Sequence, residues 1–406
     1  MGQGDPGRQH QGRVIAAGFV PMHELEWTVQ QRIGAMIHAY AEQGFHRTGT
    51  DVDRLSGDWL ADEMRRLGLE SAREEFSLSR VDPVTATLVV NGRTIEGLPL
   101  FDGTFTSSAG ISGAIGTLDS DAPIGLAEIA PNAAAAGALG DARRQNRHQA
   151  IVVVTRGPRP GFSPSNADSF VRPFGPPVLQ VASENAPFLA DCARQGTNAL
   201  LTAHAERVPA KASNVITTIS GTDESAAPLV VMTPRSGWWS CASERGGGLA
   251  CWLAIMRATR ATKPVRDVLF VASSGHELGH IGLDAFMERR PGLVPAAKAW
   301  IHLGANIGAA QGPGNILQAS DDEMESMMAG AMTGAGLAVD RRLPRGAVPL
   351  GEALNVHHGG GRFISVIGRN DLFHNPGDRG ADVIDLDVIE RFARAFATVA
   401  TSLGSA

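Results

Sequence analysis

Residues 273–282, SSGHELGHIG, place His276, Glu277 and His280 within five positions of one another. On a regular helix the two histidines would stand about one turn apart, and both rings could face one metal ion. That chemistry needs helix around both of them. Here the segment follows the β-type run VRDVLFVASS and a Ser-Ser-Gly turn, which puts His276 at a strand end before any helix has begun. Gly275, Gly279 and Gly282 weaken a helix at this place further. The expectation is a turn at a strand end rather than a metal-binding helix.

The surrounding elements must present such a strand end. From residue 213 the chain alternates buried runs with helical stripes: APLVVMT, then GGGLACWLAIMRATRA, then VRDVLFVASS, then LGHIGLDAFMERRP stopped by Pro291. AKAWIHLGANIG and RFISVIG supply further strands. The closing DLDVIERFARAFATVATSL has Ile389, Phe392, Phe396, Val399 and Leu403 on one side. This pattern predicts an α/β fold, a mostly parallel sheet covered by helices with chemistry at the carboxyl ends of its strands. Two helices are expected ahead of it. One carries Trp27, Ile33, Met36, Ile37 and Tyr40; the other carries Leu55, Trp59, Leu60, Met64 and Leu67 and ends at Gly68. Between about 75 and 212 short β-type runs alternate with turn residues and read as a β-rich module set into the larger domain. Residues 1–22 read as a flexible N-terminus without the pattern of a signal peptide.

Composition narrows the classes of function. The 406 residues are 43% apolar and 19% charged with a net charge of −6, so there is no basic footprint for nucleic acid and no polybasic membrane patch. No apolar run approaches the roughly 20 residues of a membrane span. Three cysteines, Cys192, Cys241 and Cys251, suggest reduced thiols and a cytoplasmic setting. No Gly-x-Ser-x-Gly elbow occurs, which disfavours the usual α/β serine hydrolases.

A strand ending in a turn, two chemically active residues and then LGxxG resembles the Glu-Glu segment of the co-catalytic zinc aminopeptidases and their relatives, the glutaminyl cyclases. HRTGTDVDRLSGDWLADEMRRLGLE resembles that family's N-terminal helix signature, ASNVITTISG its re-entry strand, and FHNPGD at 373–378 its last metal-ligand segment. The β-rich stretch resembles a protease-associated domain. The resemblance implies a three-layer αβα fold with a mixed sheet, divided into 23–82 with 206–406 as the catalytic domain and 83–205 as the protease-associated-like insertion.

It also implies a metal site, from which this chain departs. The family's His-x-Asp falls on Pro234 and Ser236, and its later aspartate falls on Gly304 or Ala305, so the first metal's own ligands are missing. The bridging position is Glu244, the second-metal glutamate is Glu277 and the final histidine is His374. These three would hold one divalent metal, zinc, with a position left for water. His276 stands where the family has its general-base glutamate. His280, His302 and Asp378 are expected to support the ligands from behind rather than bind the metal, Asp378 orienting His374. Trp238 and Trp239 would wall a pocket, Arg245 would meet a substrate carboxylate, and Asn370 would donate to an oxyanion. The function implied is metal-dependent hydrolysis of an amide or related carbonyl bond in a small molecule or short peptide. The alternatives are a catalytically inactive binding protein of the same fold, or a cyclase or lyase on the same single-metal site. The sequence leaves open whether the chain forms a homo-oligomer.

Overall fold

The computed structural model describes residues 27–132 and 134–405. The flexible segment expected over residues 1–22 lies outside them. The chain begins with helices α1 (Val29–Ala41) and α2 (Asp51–Arg66). Thr28 caps α1 in a reciprocal box with Gln31, and Thr50 caps α2 through its hydroxyl. Strands β1 (Ala72–Val90), β2 (Arg93–Pro99), β3 (Ile111–Thr117) and β4 (Ile124–Ile129) follow. Then come α3 (Gly137–Gln145), β5 (Ala150–Thr155), β6 (Val178–Val181), α4 (Ala186–Gln195) and the long β7 (Asn198–Ile219). β8 (Leu229–Pro234), α5 (Gly246–Thr262), β9 (Val268–Ser273), α6 (Ile281–Glu288), α7 (Leu293–Ala296) and β10 (Ala299–Leu303) form the next stretch. β11 (Asn315–Ala319), α8 (Asp322–Gly334), β12 (Arg341–Arg342), α9 (Ala353–His358), β13 (Phe363–Gly368) and α10 (Leu386–Ser405) complete it. Sequence reasoning missed β11, β12 and α8, whose apolar residues are interleaved with polar ones too irregularly to show a period.

The main sheet runs β7-β9-β8-β10-β13-β11-β12. β9, β8, β10 and β13 are parallel, and β7 and β11 lie antiparallel on either side of them. Alternate residues of the parallel strands go to opposite layers. Leu229 and Val231 of β8 pack with α1, α2, α5, α8 and α10, while Val230 and Met232 pack with α6, α7 and α9. The fold is therefore a mixed sheet between two helical layers, as expected.

β1 and β7 pair antiparallel over nearly their whole length, with an irregularity between Pro83 and Thr85. Their outer halves leave the main sheet and close with β2, β6, β5, β4 and β3 into a seven-stranded barrel, which leaves those strands no free edge. The expected cut at 83 and 205 thus falls inside two continuous strands rather than in a linker.

At Gly247 the start of helix α5 meets backbone. A Cβ placed on Gly247 would lie 1.8 Å from the carbonyl oxygen of Ile307. Gly247→Ala must push the start of α5 off the loop after β10, and should lower the unfolding free energy by about 1–3 kcal/mol in urea melts. An unchanged midpoint would mean that this close approach does not hold the helix start.

Candidate functional site

The residues of interest gather beyond the carboxyl ends of β8, β9, β10 and β13. Just past β8 the Ser236 hydroxyl donates to Glu277 Oε2 at 2.7 Å and accepts from the amides of Gly275 (2.9 Å) and His276 (3.2 Å). From the loop between α1 and α2, Thr48 donates its amide and its hydroxyl to Glu277 Oε1, each at 2.7 Å. Both carboxylate oxygens of Glu277 are thus engaged, on a residue only 1% exposed. Burial pushes its pKa up, and the hydrogen bonds from Thr48 and Ser236 work against that rise.

The motif around Glu277 is not a helix. His276–Leu278 is a single 3-10 turn entered through Gly275 at φ 88°, and Gly279 and His280 both take the left-handed conformation before α6 starts. The rings of His276 and His280 nonetheless come close, with centroids 4.8 Å apart.

Glu244 ends the loop that leads into α5, with Arg245 next to it. Glu244 Oε1 lies 2.8 Å from Arg245 Nη2 and 3.7 Å from His374 Nε2. The Arg245 Nε–H donates to the Ser236 carbonyl at 2.7 Å. Arg245 is 1% exposed, so its guanidinium lies inside the site. Burial is the largest influence and opposes its charge, but Glu244, Cys241, Tyr40 and Glu277 together outweigh it and hold its pKa above the ordinary value. Burial, and then the Arg245 charge, push the His374 imidazole down to about 3. His374 Nδ1–H donates to the Pro164 carbonyl at 2.7 Å, which leaves Nε2 as an acceptor.

A second cluster lies under His276. His276 Nδ1 is 3.4 Å from Oε1 of Glu352, which also accepts from the Ser273 hydroxyl at 2.6 Å. Glu352 is fully buried, and its Oε2 has no hydrogen-bond partner among the described residues. Burial, then Arg245, drive the His276 pKa well below its usual value, so the ring is neutral and a weak base. His302 sits on β10 with its side chain on the α6, α7 and α9 side of the sheet, and Nδ1 shares a 2.8 Å hydrogen bond with Ser365 Oγ. His280 donates to Asn355 Oδ1 at 2.8 Å.

Several expected roles fall to structure instead. Asp378 makes no hydrogen bond to His374; it accepts from the Ser243 amide and hydroxyl (2.8 and 2.6 Å) and the Glu244 amide (2.9 Å), tying down the loop before α5. Asn370 is 7% exposed and donates to Ser243 Oγ at 2.9 Å and Asn306 Oδ1 at 3.2 Å, so its amide bridges two loops rather than facing an oxyanion. Trp238 is 2% exposed in the seam with the barrel, edge-on to Phe101, and donates to Asn166 Oδ1. Trp239 remains partly exposed, flanked by Phe45 and Phe162, and donates to the His374 carbonyl at 2.7 Å. Sequence reasoning missed Thr48 and Glu352. The signal for Glu352 was a single acid inside the apolar run Val348–Val356.

The loop between β5 and β6 covers this site. Besides Pro164 and Asn166, its Ala167 amide donates to the Glu277 carbonyl at 2.8 Å, and the Asn375 side chain donates to the Pro160 carbonyl at 3.0 Å.

The donor set does not suit the implied divalent ion. No group of three or more His, Cys, Asp or Glu side chains among the described residues converges on a point that could hold a metal. The oxygens of Glu277 are committed to Thr48 and Ser236, and Glu244 already faces a fixed cation. A divalent ion beside Arg245 would meet strong repulsion in a dry site.

The sequence matches no family model and no curated protein. The fold has clear likenesses among solved structures. A zinc aminopeptidase from Bacillus subtilis superposes with a TM-score of 0.73 at 15% identity, covering 93% of this chain and 94% of that one. An aminopeptidase from Aneurinibacillus sp. strain AM-1 gives 0.71 at 14% identity, over 93% and 94%. A peptidase M28 precursor from Shewanella amazonensis SB2B gives 0.70 at 16% identity, over 93% and 95%. At these identities the likeness is one of fold.

Proposed function

We propose that this chain keeps the aminopeptidase fold as a metal-independent binding protein for a small molecule or short peptide, and does not hydrolyse its ligand through zinc. The reading rests on Glu277, whose carboxylate joins Thr48 and Ser236 instead of standing free as a ligand. It is preferred to the single-zinc hydrolase that the sequence resemblance implies, and to a cyclase or lyase on that same metal. The buried polar atoms of the site without a hydrogen-bond partner among the described residues include acceptors, His374 Nε2 and Glu352 Oε2, and donors, Nη1 and Nη2 of Arg245. They suit a ligand bearing both N–H groups and carbonyl or carboxylate oxygens, as a peptide does. Trp239 offers the apolar contact at the partly exposed rim.

A second reading has one observation in its favour. The His276–Glu352 pair could orient an imidazole to draw a proton from water without any metal. The depressed pKa of His276 makes it a weak base, which is why binding is preferred.

The test is incubation of the purified protein with aminoacyl p-nitroanilides and a dipeptide panel, with and without added zinc. We expect no turnover above buffer in either condition, and a raised melting temperature with some of the dipeptides, recovered intact. Zinc-dependent release of nitroaniline would overturn the binding reading. Metal-free release abolished by Glu352→Gln would move it to the second one.

A further inference from the structure

Arg245 is the feature the implied metal chemistry leaves unexplained. It follows Glu244 directly and is 1% exposed. Its Nη1 and Nη2 hydrogens have no well-aligned hydrogen-bond partner among the described residues, even though Nη2 lies 2.8 Å from Glu244 Oε1. The contact is an ion pair held by charge and position rather than by a good hydrogen bond. Its one aligned bond, from Nε to the Ser236 carbonyl, anchors it to the residue whose hydroxyl holds Glu277. The guanidinium field also reaches Glu277. A buried guanidinium with spare donors, paired with one buried carboxylate and within electrostatic reach of a second, is costly to desolvate unless the carboxylates need it.

We propose that the Arg245 guanidinium is the resident cation of this site, taking over from a metal the task of balancing Glu244 and Glu277, and that it excludes divalent ions. This rests on the metal-independent reading above, but the two can fail separately, since metal content is measured without any ligand or turnover. Arg245 and Glu244 act as one unit: remove the cation and the acid beside it, together with His374 Nε2, is released towards any other cation.

The experiment uses the full chain exposed to zinc and then desalted, with zinc quantified per chain and melting temperature followed against zinc concentration. The wild-type protein should retain no stoichiometric zinc and show no zinc-dependent shift. Arg245→Met should melt lower than wild type and be raised by zinc, with an affinity on the order of 100-fold or more above wild type. Should that variant fail to accumulate folded, Arg245→Met combined with Glu244→Gln decides the matter. Removing both charges should restore folding that the single change loses. About one zinc per wild-type chain would overturn the proposal. So would a folded Arg245→Met protein no more responsive to zinc than wild type, or a double variant no more stable than the single one.

Discussion

Glu277→Ala should lower the unfolding free energy by about 3–5 kcal/mol, the cost of breaking one side of a buried charged network. Three donors lose their acceptor at once, the Thr48 amide, the Thr48 hydroxyl and the Ser236 hydroxyl, and Arg245 loses a nearby carboxylate. Thr48 belongs to the loop between α1 and α2, and Ser236 to the end of β8, so the substitution also unties a helical layer from the sheet. Glu277→Gln keeps an oxygen that can face Thr48 but must turn its amide towards Ser236, so it should lose less. Urea melts of metal-free protein measure both. A residue serving as a metal ligand would behave differently: its removal would cost metal affinity and leave the metal-free protein about as stable as before. A loss under about 1 kcal/mol for Glu277→Ala would therefore return Glu277 to the ligand role.

Acid should weaken the fold steeply above pH 5. His46, His302 and His374 are buried, and burial is the largest cause that brings each of them down to about 3. A histidine whose folded pKa lies below its unfolded value binds its proton more readily when unfolded. Its stabilising contribution is whole above about 6.5 and drains away as pH falls towards 3. At pH 5 each of the three has lost roughly 2 kcal/mol relative to neutral pH. Asp378 acts with the opposite sign. Burial raises its pKa to about 6, so it is more comfortable protonated in the folded chain and returns about 1 kcal/mol over the same interval. Glu244 and Glu277, also raised by burial, act in the same direction as Asp378. The net expectation is a loss of about 3–5 kcal/mol between pH 7 and pH 5, a large part of a typical stability. Urea melts at the two pH values test it, and His46→Gln should flatten the slope. A midpoint that holds level or climbs on acidification would show that these imidazoles are not kept neutral by the fold.

Much of the architecture was legible in the chain. The alternation of buried runs and helical stripes after residue 213 announces a parallel sheet covered on both sides, because such strands need apolar residues on both faces. The Ser-Ser-Gly turn before His276 already argues against a metal-binding helix, and the turn with two left-handed residues bears out that argument. The β-rich stretch was visible as strands, but its closure through β1 and β7 was not, since pairing between residues more than 100 positions apart leaves no local period.

The site was legible only as a set of residues. Glu244, Glu277, His374 and His276 do meet in one region, yet their roles depend on neighbours that no spacing predicts. Thr48, nearly 230 positions from Glu277, takes one of its oxygens, and Glu352 reaches His276 from the start of α9. Asp378 and Asn370 turned inward to hold loops, and Trp238 went to the seam.

By itself, then, the amino-acid order determined the elements, their layers and the end of the sheet where chemistry could occur, because periodicity and turn residues act over a few neighbours. Only the tertiary structure decided which charge stands beside Glu244. A guanidinium, being the immediate neighbour in sequence, could as well have pointed to solvent. Coulomb interactions in a dry interior change greatly over a few ångströms, and that is a distance the chain order does not contain.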